Sequence, residues 1–238
     1  MKSQVTFESK NRMTQAIGCL AMVLIGLSVA DVQSAVIQQA NTSSVTELAV
    51  NPTDLINAGQ ASLASVSSTN PATEYGSAGI SAVNNGVGGI GAASCAYTDN
   101  RAFTVTFTLK TSTYTLGYDI TSVETFAAWP AAVDVQQQYE LLYSTVGSDS
   151  FTSLGTFVYD NATVNYSRIA LTSSDGLIAT GVDQVRFAFT GVGALGCWTE
   201  LDVQGIATIP EPTACALLLM GGVFAVIRRP RNTKGAGR

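Results

Sequence analysis

Phe103-Thr-Val-Thr-Phe-Thr-Leu-Lys110 alternates without a break, with Phe103, Val105, Phe107 and Leu109 on one face and threonines on the other. A period of two over eight residues is the mark of a β-strand with one face in a core. Later stretches read the same way. They are Gln138 to Ser144, Phe151 to Tyr159, Val164 to Leu171, Val182 to Phe189 and Trp198 to Ile206. Turn formers separate them at Gly147-Ser-Asp, Asp160-Asn, Ser174-Asp-Gly176 and Thr190-Gly-Val-Gly193. No amphipathic helical pattern intervenes, so the spacing predicts an all-β sandwich or barrel. The segment from Ser65 to Ser94, rich in Gly, Ser, Ala and Asn, reads as long loops, and no internal repeat is present.

The composition is unusual for such a domain. The chain has 238 residues, 46% of them apolar and only 12% charged, where a soluble domain averages about a quarter charged. It contains no histidine. That excludes a Ser-His-Asp triad, a Cys-His dyad, histidine-ligated zinc and a histidine pH switch.

The apolar excess sits at the two ends. Ala16 to Ala30 has 12 apolar residues of 15, preceded by Lys2, Lys10 and Arg12 and followed by polar Asp31-Val-Gln-Ser-Ala35. This is the order of a secretory signal peptide, with cleavage expected after Ala35; an uncleaved N-terminal anchor is the alternative. Cys19 lies near the start of the apolar core and reads as ordinary filling. At the other end, Ile209-Pro210-Glu211-Pro212-Thr213 leads into Ala214 to Ile227, 12 apolar residues of 14, closed by Arg228, Arg229 and Arg231. As a helix, 14 residues span about 21 Å, short of the roughly 30 Å hydrocarbon layer. The basic stop places the tail on the cytoplasmic side.

This end resembles the PEP-CTERM sorting signal of exported bacterial proteins, carried here by Pro210, Glu211, Pro212, the apolar stretch and the Arg228-Arg229 pair. The resemblance implies recognition and cleavage by an exosortase-type membrane protease. It also implies an inner-membrane intermediate and a final place at the cell surface or in an extracellular matrix. A simple C-terminal anchor without processing is the alternative. A eukaryotic glycolipid-anchor signal fits less well, because it does not close with a basic cluster. The organisation expected is therefore a signal peptide at 1–35, a β-sandwich at 36–209 and a sorting and anchor segment at 210–238.

Residues 36–209 hold four basic and 14 acidic residues, a net charge of −10. Such a surface repels phosphate backbones, so nucleic acid is not an expected partner. Cys95 and Cys197 either pair in the oxidising compartment that export reaches or stay as two buried thiols.

From Tyr118 onward, the order of elements resembles the galactose-binding-like, or discoidin-like, jelly roll. The matching residues are Tyr118 to Phe126, Trp129, Gln138 to Ser144, Phe151 to Gly155, Arg168 to Thr172, Gly181 to Phe187 and Trp198 to Gly205. The resemblance implies a single jelly-roll β-sandwich, which the apolar end segments flank with an N-terminal signal helix and a short C-terminal transmembrane helix. It implies a structural calcium between an early loop and a glutamate of the last strand. Glu200 matches the glutamate, and Asn84 and Asn85 stand where the family favours a carboxylate. The bland alternative is that Glu200 and Asp202 share one side of an exposed strand. Trp129 reads either as a sugar platform, with Glu124 and Asp134 accepting hydroxyls, or as a core plug beside Pro130. Trp198, next to Cys197, and Phe103, Phe107, Phe187 and Phe189 read as core.

No nucleophile elbow or phosphate-cradling loop is present, and Gly88-Gly-Ile-Gly91 lacks the strand-to-helix context of a dinucleotide site. The expected function is non-catalytic: an exported surface or matrix protein that binds or is embedded in extracellular polysaccharide. The alternatives are a purely structural envelope component without a ligand site and a glycan-active hydrolase.

Overall fold

The computed structural model describes residues 35–43, 48–69, 76–98, 102–130, 135–160, 163–190 and 196–209. The signal peptide expected at 1–35, apart from Ala35, the residues Pro210, Glu211, Pro212, Arg228 and Arg229 expected as a sorting motif, the 214–227 stretch and Asp134 lie outside them. Among the described residues no helix is long and apolar enough to cross a membrane.

The described residues form an all-β domain. The strands are β1 (Val36–Ser43), β2 (Leu63–Thr69), β3 (Ala96–Thr98), β4 (Phe103–Leu109) and β5 (Tyr118–Ala128). They continue with β6 (Gln137–Thr145), β7 (Thr152–Tyr159), β8 (Tyr166–Ser173), β9 (Ala179–Phe189) and β10 (Gly196–Ala207). Every pairing is antiparallel. One layer runs β1-β8-β5-β10-β3 and the other β2-β4-β9-β6-β7. A short β5–β9 pairing at Tyr118↔Val182 and Ile120↔Ala179 joins them at one corner.

The alternation in the sequence decides what lies between the layers. Phe103, Val105, Phe107 and Leu109 of β4 pack with Tyr139, Leu141, Val185, Phe187 and Phe189 of the same layer. Ile169, Leu171, Val123, Trp198, Leu201 and Val203 face them from the other. Trp198 closes one end of this core, edge-on to Phe103 at 5.3 Å and tilted against Phe189 at 4.4 Å. Buried aromatics of this size carry a large share of the apolar area that drives folding.

The early part differs from the sequence expectation. Ser65 to Thr69, expected as loop, belongs to β2, and two 3-10 turns, Gly79–Ala82 and Ala92–Ser94, punctuate the rest of the stretch. Neither β1 (VIQQANTS) nor β2 (LASVSST) has an apolar stripe. Both are edge strands with nearly every side chain exposed, so backbone pairing holds them and leaves no period-two signature.

Candidate metal centre and aromatic platform

β10 is buried from Gly196 through Val203 on both faces. Its inward side chains, Trp198, Leu201 and Val203, enter the core. The opposite face carries Glu200 and Asp202, which lie across from Phe126 and Glu124 of β5. An alternating strand would ordinarily leave that face wet. Here two loop segments cover it. Residues 51–57 and 83–86 reach the free edge of β10 by backbone bonds, Leu55 N–H to Val203 O at 2.8 Å and Leu201 N–H to Val83 O at 2.8 Å. The segments also hold each other, through Ala58 N–H to Asn84 O at 2.6 Å and Asn84 Nδ2 to Ile56 O at 3.0 Å. Gly86 makes this fit possible. Its φ is +72°, and a Cβ there would lie 2.5 Å from Asn57 Nδ2 and 2.9 Å from Pro52 Cα.

The cover contributes a third acid, Asp54. Asp54, Glu200 and Asp202 are each at most 1% exposed. One carboxylate oxygen from each lies within 4.8 Å of the others. Part of each group is satisfied. Asp54 Oδ1 accepts from Ile56 N–H at 2.9 Å and Val203 N–H at 3.2 Å. Asp202 Oδ2 accepts from Asn51 N–H at 2.7 Å, and Glu200 Oε2 from Gly86 N–H at 3.1 Å. The other oxygens, Asp54 Oδ2, Glu200 Oε1 and Asp202 Oδ1, are buried without a hydrogen-bond partner.

Three dry carboxylates cannot all ionise at ordinary cost. Burial, then repulsion from Asp202 and Asp54, pushes Glu200 up to about 9. Burial pushes Asp202 up to about 7 against the Asn51 N–H bond, and Asp54 up to about 6 against the Ile56 and Val203 N–H bonds. An unpartnered buried acceptor costs on the order of 1–3 kcal/mol, more when charged. Three buried carboxylates drawn together, two from β10 and one from the covering loop, fit a hard divalent cation, which takes oxygen donors and removes the repulsion.

Of the residues expected from sequence, Glu200 stands in this cluster. Asn84 and Asn85 lie in the cover, but their side chains serve it: Asn84 donates to Ile56, and Asn85 Oδ1 accepts from Val87 N–H at 2.8 Å. The bland expectation of an exposed Glu200–Asp202 face is corrected, since both are buried. Nothing in the sequence pattern singles out Asp54. Its only sequence signal is the Asn51-Pro-Thr-Asp54 turn, and its position depends on a contact to Val203, 149 residues away.

Glu124 is held by Arg168, whose Nε reaches Oε2 at 2.8 Å and whose Nη2 pairs with Oε1. The same guanidinium lies 5.9 Å from the Phe126 ring centroid. Trp129 sits elsewhere, at the end of β5. It is half-buried and stacks on Tyr97 at 5.1 Å with 27° between planes, against the Cys95–Cys197 pair. Those cysteines form a disulfide with Cα atoms 5.5 Å apart, stapling β3 to the start of β10. Asn165 Nδ2 fixes the turn after Trp129 by donating to the Trp129 and Pro130 carbonyls at 3.2 and 2.7 Å.

No family model matches the chain, and no curated protein sequence matches it. Solved structures do. The C-terminal domain of a chitobiase from Bacteroides fragilis is 15% identical over 60% of this chain and 93% of its own, with a TM-score of 0.42. The F5/8 type C domain of another Bacteroides fragilis protein is 8% identical over 74% of this chain and 99% of its own, with a TM-score of 0.33. The family 32 CBM from C. perfringens NanJ, in complex with galactose, is 12% identical over 72% of this chain and 94% of its own, also at 0.33. At these scores the likeness carries no ligand or residue role to this chain, and the fold rests on the strand pairing described above.

Proposed function

We propose that this is an exported, non-catalytic β-sandwich, stabilised by calcium and working at the cell surface or in an extracellular polysaccharide matrix. The observation that carries the reading is the closed acidic cluster of Asp54, Glu200 and Asp202, with its three unpartnered oxygens. A cation there supplies positive charge and oxygen coordination. The three carboxylates would hold it, and the two loop segments would then be locked on β10 through their own backbone bonds. Acids shut away from solvent cannot touch a polymer, which supports a structural rather than a hydrolytic role for them. Export, exosortase-type sorting through Pro210, Glu211, Pro212, Arg228 and Arg229, and the segment limits 1–35, 36–209 and 210–238 belong to the same reading and rest on the sequence.

Polysaccharide contact falls to Trp129, whose stacking on Tyr97 and support by the disulfide give a rigid, half-exposed ring suited to a sugar face. Asp134 remains a proposed hydrogen-bonding neighbour, whereas Glu124 is engaged by Arg168. The second reading is a matrix component without a ligand site, favoured by the commitment of one Trp129 face to Tyr97. Calcium titration by calorimetry, followed by pull-down on extracellular polysaccharides with and without calcium, tests the whole. Saturable one-site calcium binding and Trp129-dependent retention are expected. Absence of calcium binding overturns the metal reading, and retention unchanged in Trp129→Ala overturns the platform.

A further inference from the structure

The exposed apolar side chains gather at one end of the sandwich. Of eleven large ones among the described residues, six lie there: Tyr114, Leu116, Val146, Leu177, Ile206 and Ile209, between 36% and 73% exposed. They come from four segments that meet where β4, β6, β8 and β10 end and β5, β7 and β9 begin. Backbone contacts tie the segments together. Thr208 N–H donates to Gly117 O at 2.9 Å, Gly117 N–H to Tyr114 O at 2.9 Å, and Val146 N–H to Gly181 O at 3.0 Å. Gly117 and Gly181 touch so closely that a Cβ on Gly117 would lie 2.6 Å from the Gly181 carbonyl carbon. The surface is therefore a fixed array of apolar groups on short, mutually braced turns.

The charges around it are few. Among the described residues, exposed Lys110, Asp149 and Asp175 lie close to the six in sequence; Asp119 is taken up by Gly181 N–H and Thr208 Oγ1, and Asp183 by Ser144, while Glu211, two positions after Ile209, lies outside the described residues. Such a patch on a domain of net charge −10 is an unusual thing to leave to water.

Where the chain goes next names the occupant. Ile209 belongs to the patch, and Ala214 opens the stretch with 12 apolar residues of 14. Four residues separate them, and the five steps from Cα to Cα reach at most about 18 Å. Pro210 and Pro212 lie in that link and restrict its backbone. We propose that this pole rests on the lipid bilayer while residues 214–227 are inserted, with Tyr114, Leu116, Val146, Leu177, Ile206 and Ile209 in the interface. This rests on reading 214–227 as a membrane segment. A tyrosine among aliphatics suits the headgroup boundary. With one exposed lysine against two exposed aspartates among the described residues, and Glu211 following Ile209 in sequence, contact relies on apolar insertion rather than on anionic headgroups.

The test uses the full chain carrying Leu116→Trp, reconstituted in phosphatidylcholine vesicles with bromine-labelled acyl chains, with and without phosphatidylglycerol. Trp129 and Trp198 stand at the opposite end of the strands, so the native chain supplies the baseline. Loss of most of the introduced emission in both lipid mixtures is the expected result. Unquenched emission from a chain that stays with the vesicles after alkaline washing overturns the proposal and leaves the membrane segment standing. A chain that washes off overturns the membrane segment, and quenching before the wash then supports the pole alone. Quenching only with phosphatidylglycerol overturns insertion in favour of headgroup attraction. Emission that shifts to the blue with protein concentration, without lipid, assigns the patch to a second copy and overturns the lipid assignment. Ile206→Trp repeats the measurement from β10 if the first variant fails to fold.

Discussion

The two faces of β10 are equally dry and chemically opposite. On the inner face Trp198, Leu201 and Val203 meet aromatic and aliphatic neighbours, and contact itself is the stabilisation. On the outer face Glu200 and Asp202 meet another acid, Asp54, and contact is a liability until a cation intervenes. One strand thus joins an element that folds unaided to one whose value depends on the solution. The inner face should be indifferent to calcium and to pH, and the outer face should respond to both.

The largest effect expected is from the inner face. Trp198→Ala removes a ring packed between Phe103 and Phe189 and should lower unfolding stability by about 3–5 kcal/mol. Urea denaturation should give the same loss with calcium and with chelator. A loss that depends on calcium would break the separation of the faces.

Next comes the outer face. Calcium at a hundredfold excess over its dissociation constant should add about 2.7 kcal/mol, by binding the folded state only. Glu200→Gln with Asp202→Asn should abolish that gain. In chelator above neutral pH the same variant should be more stable than the native chain, because it removes uncompensated charge. Melting midpoints in the four conditions decide the point.

The pH profile of the chelated protein sharpens the contrast. Folding raises all three acids, to about 6, 7 and 9 for Asp54, Asp202 and Glu200. The folded state therefore binds more protons than the unfolded one above the ordinary carboxyl range. Stability is full at low pH and is lost as pH climbs through those three values. Calcium needs the ionised forms, so its contribution grows in the same direction. Melting midpoints that rise with pH in chelator would contradict the uncompensated cluster.

The smallest effect is expected at the rim. Arg168 pairs with Glu124 and lowers the cost of ionising Asp202. Arg168→Met should cost about 0.5–1 kcal/mol, as half-exposed ion pairs do. It should also tighten calcium binding, measured by titration, because the site loses a nearby positive charge.

The same two faces explain what could be read in advance. Phe103 to Leu109 and Val182 to Phe189 announce themselves because a one-sided core imposes a period of two. Glu200 and Asp202 also alternate, but alternation says only that they share a face, not what lies over it. The cover is made of residues 51–57 and 83–86, more than a hundred positions earlier, and its placement depends on a glycine with positive φ and on backbone bonds that no side-chain pattern records. Asp54 was invisible for that reason. β1 and β2 escaped notice because edge strands of small polar residues obey no burial rule.

The Cys95–Cys197 disulfide closes a ring of chain that contains β3 to β9 and the start of β10, the two cysteines standing 102 positions apart. Every connection from β3–β4 to β9–β10 falls inside that ring. A single proteolytic cut in any of them converts the domain into two polypeptides that remain one molecule. A protein so built keeps its strands together after nicking and separates only when cut and reduced, a difference visible on gels run with and without reductant.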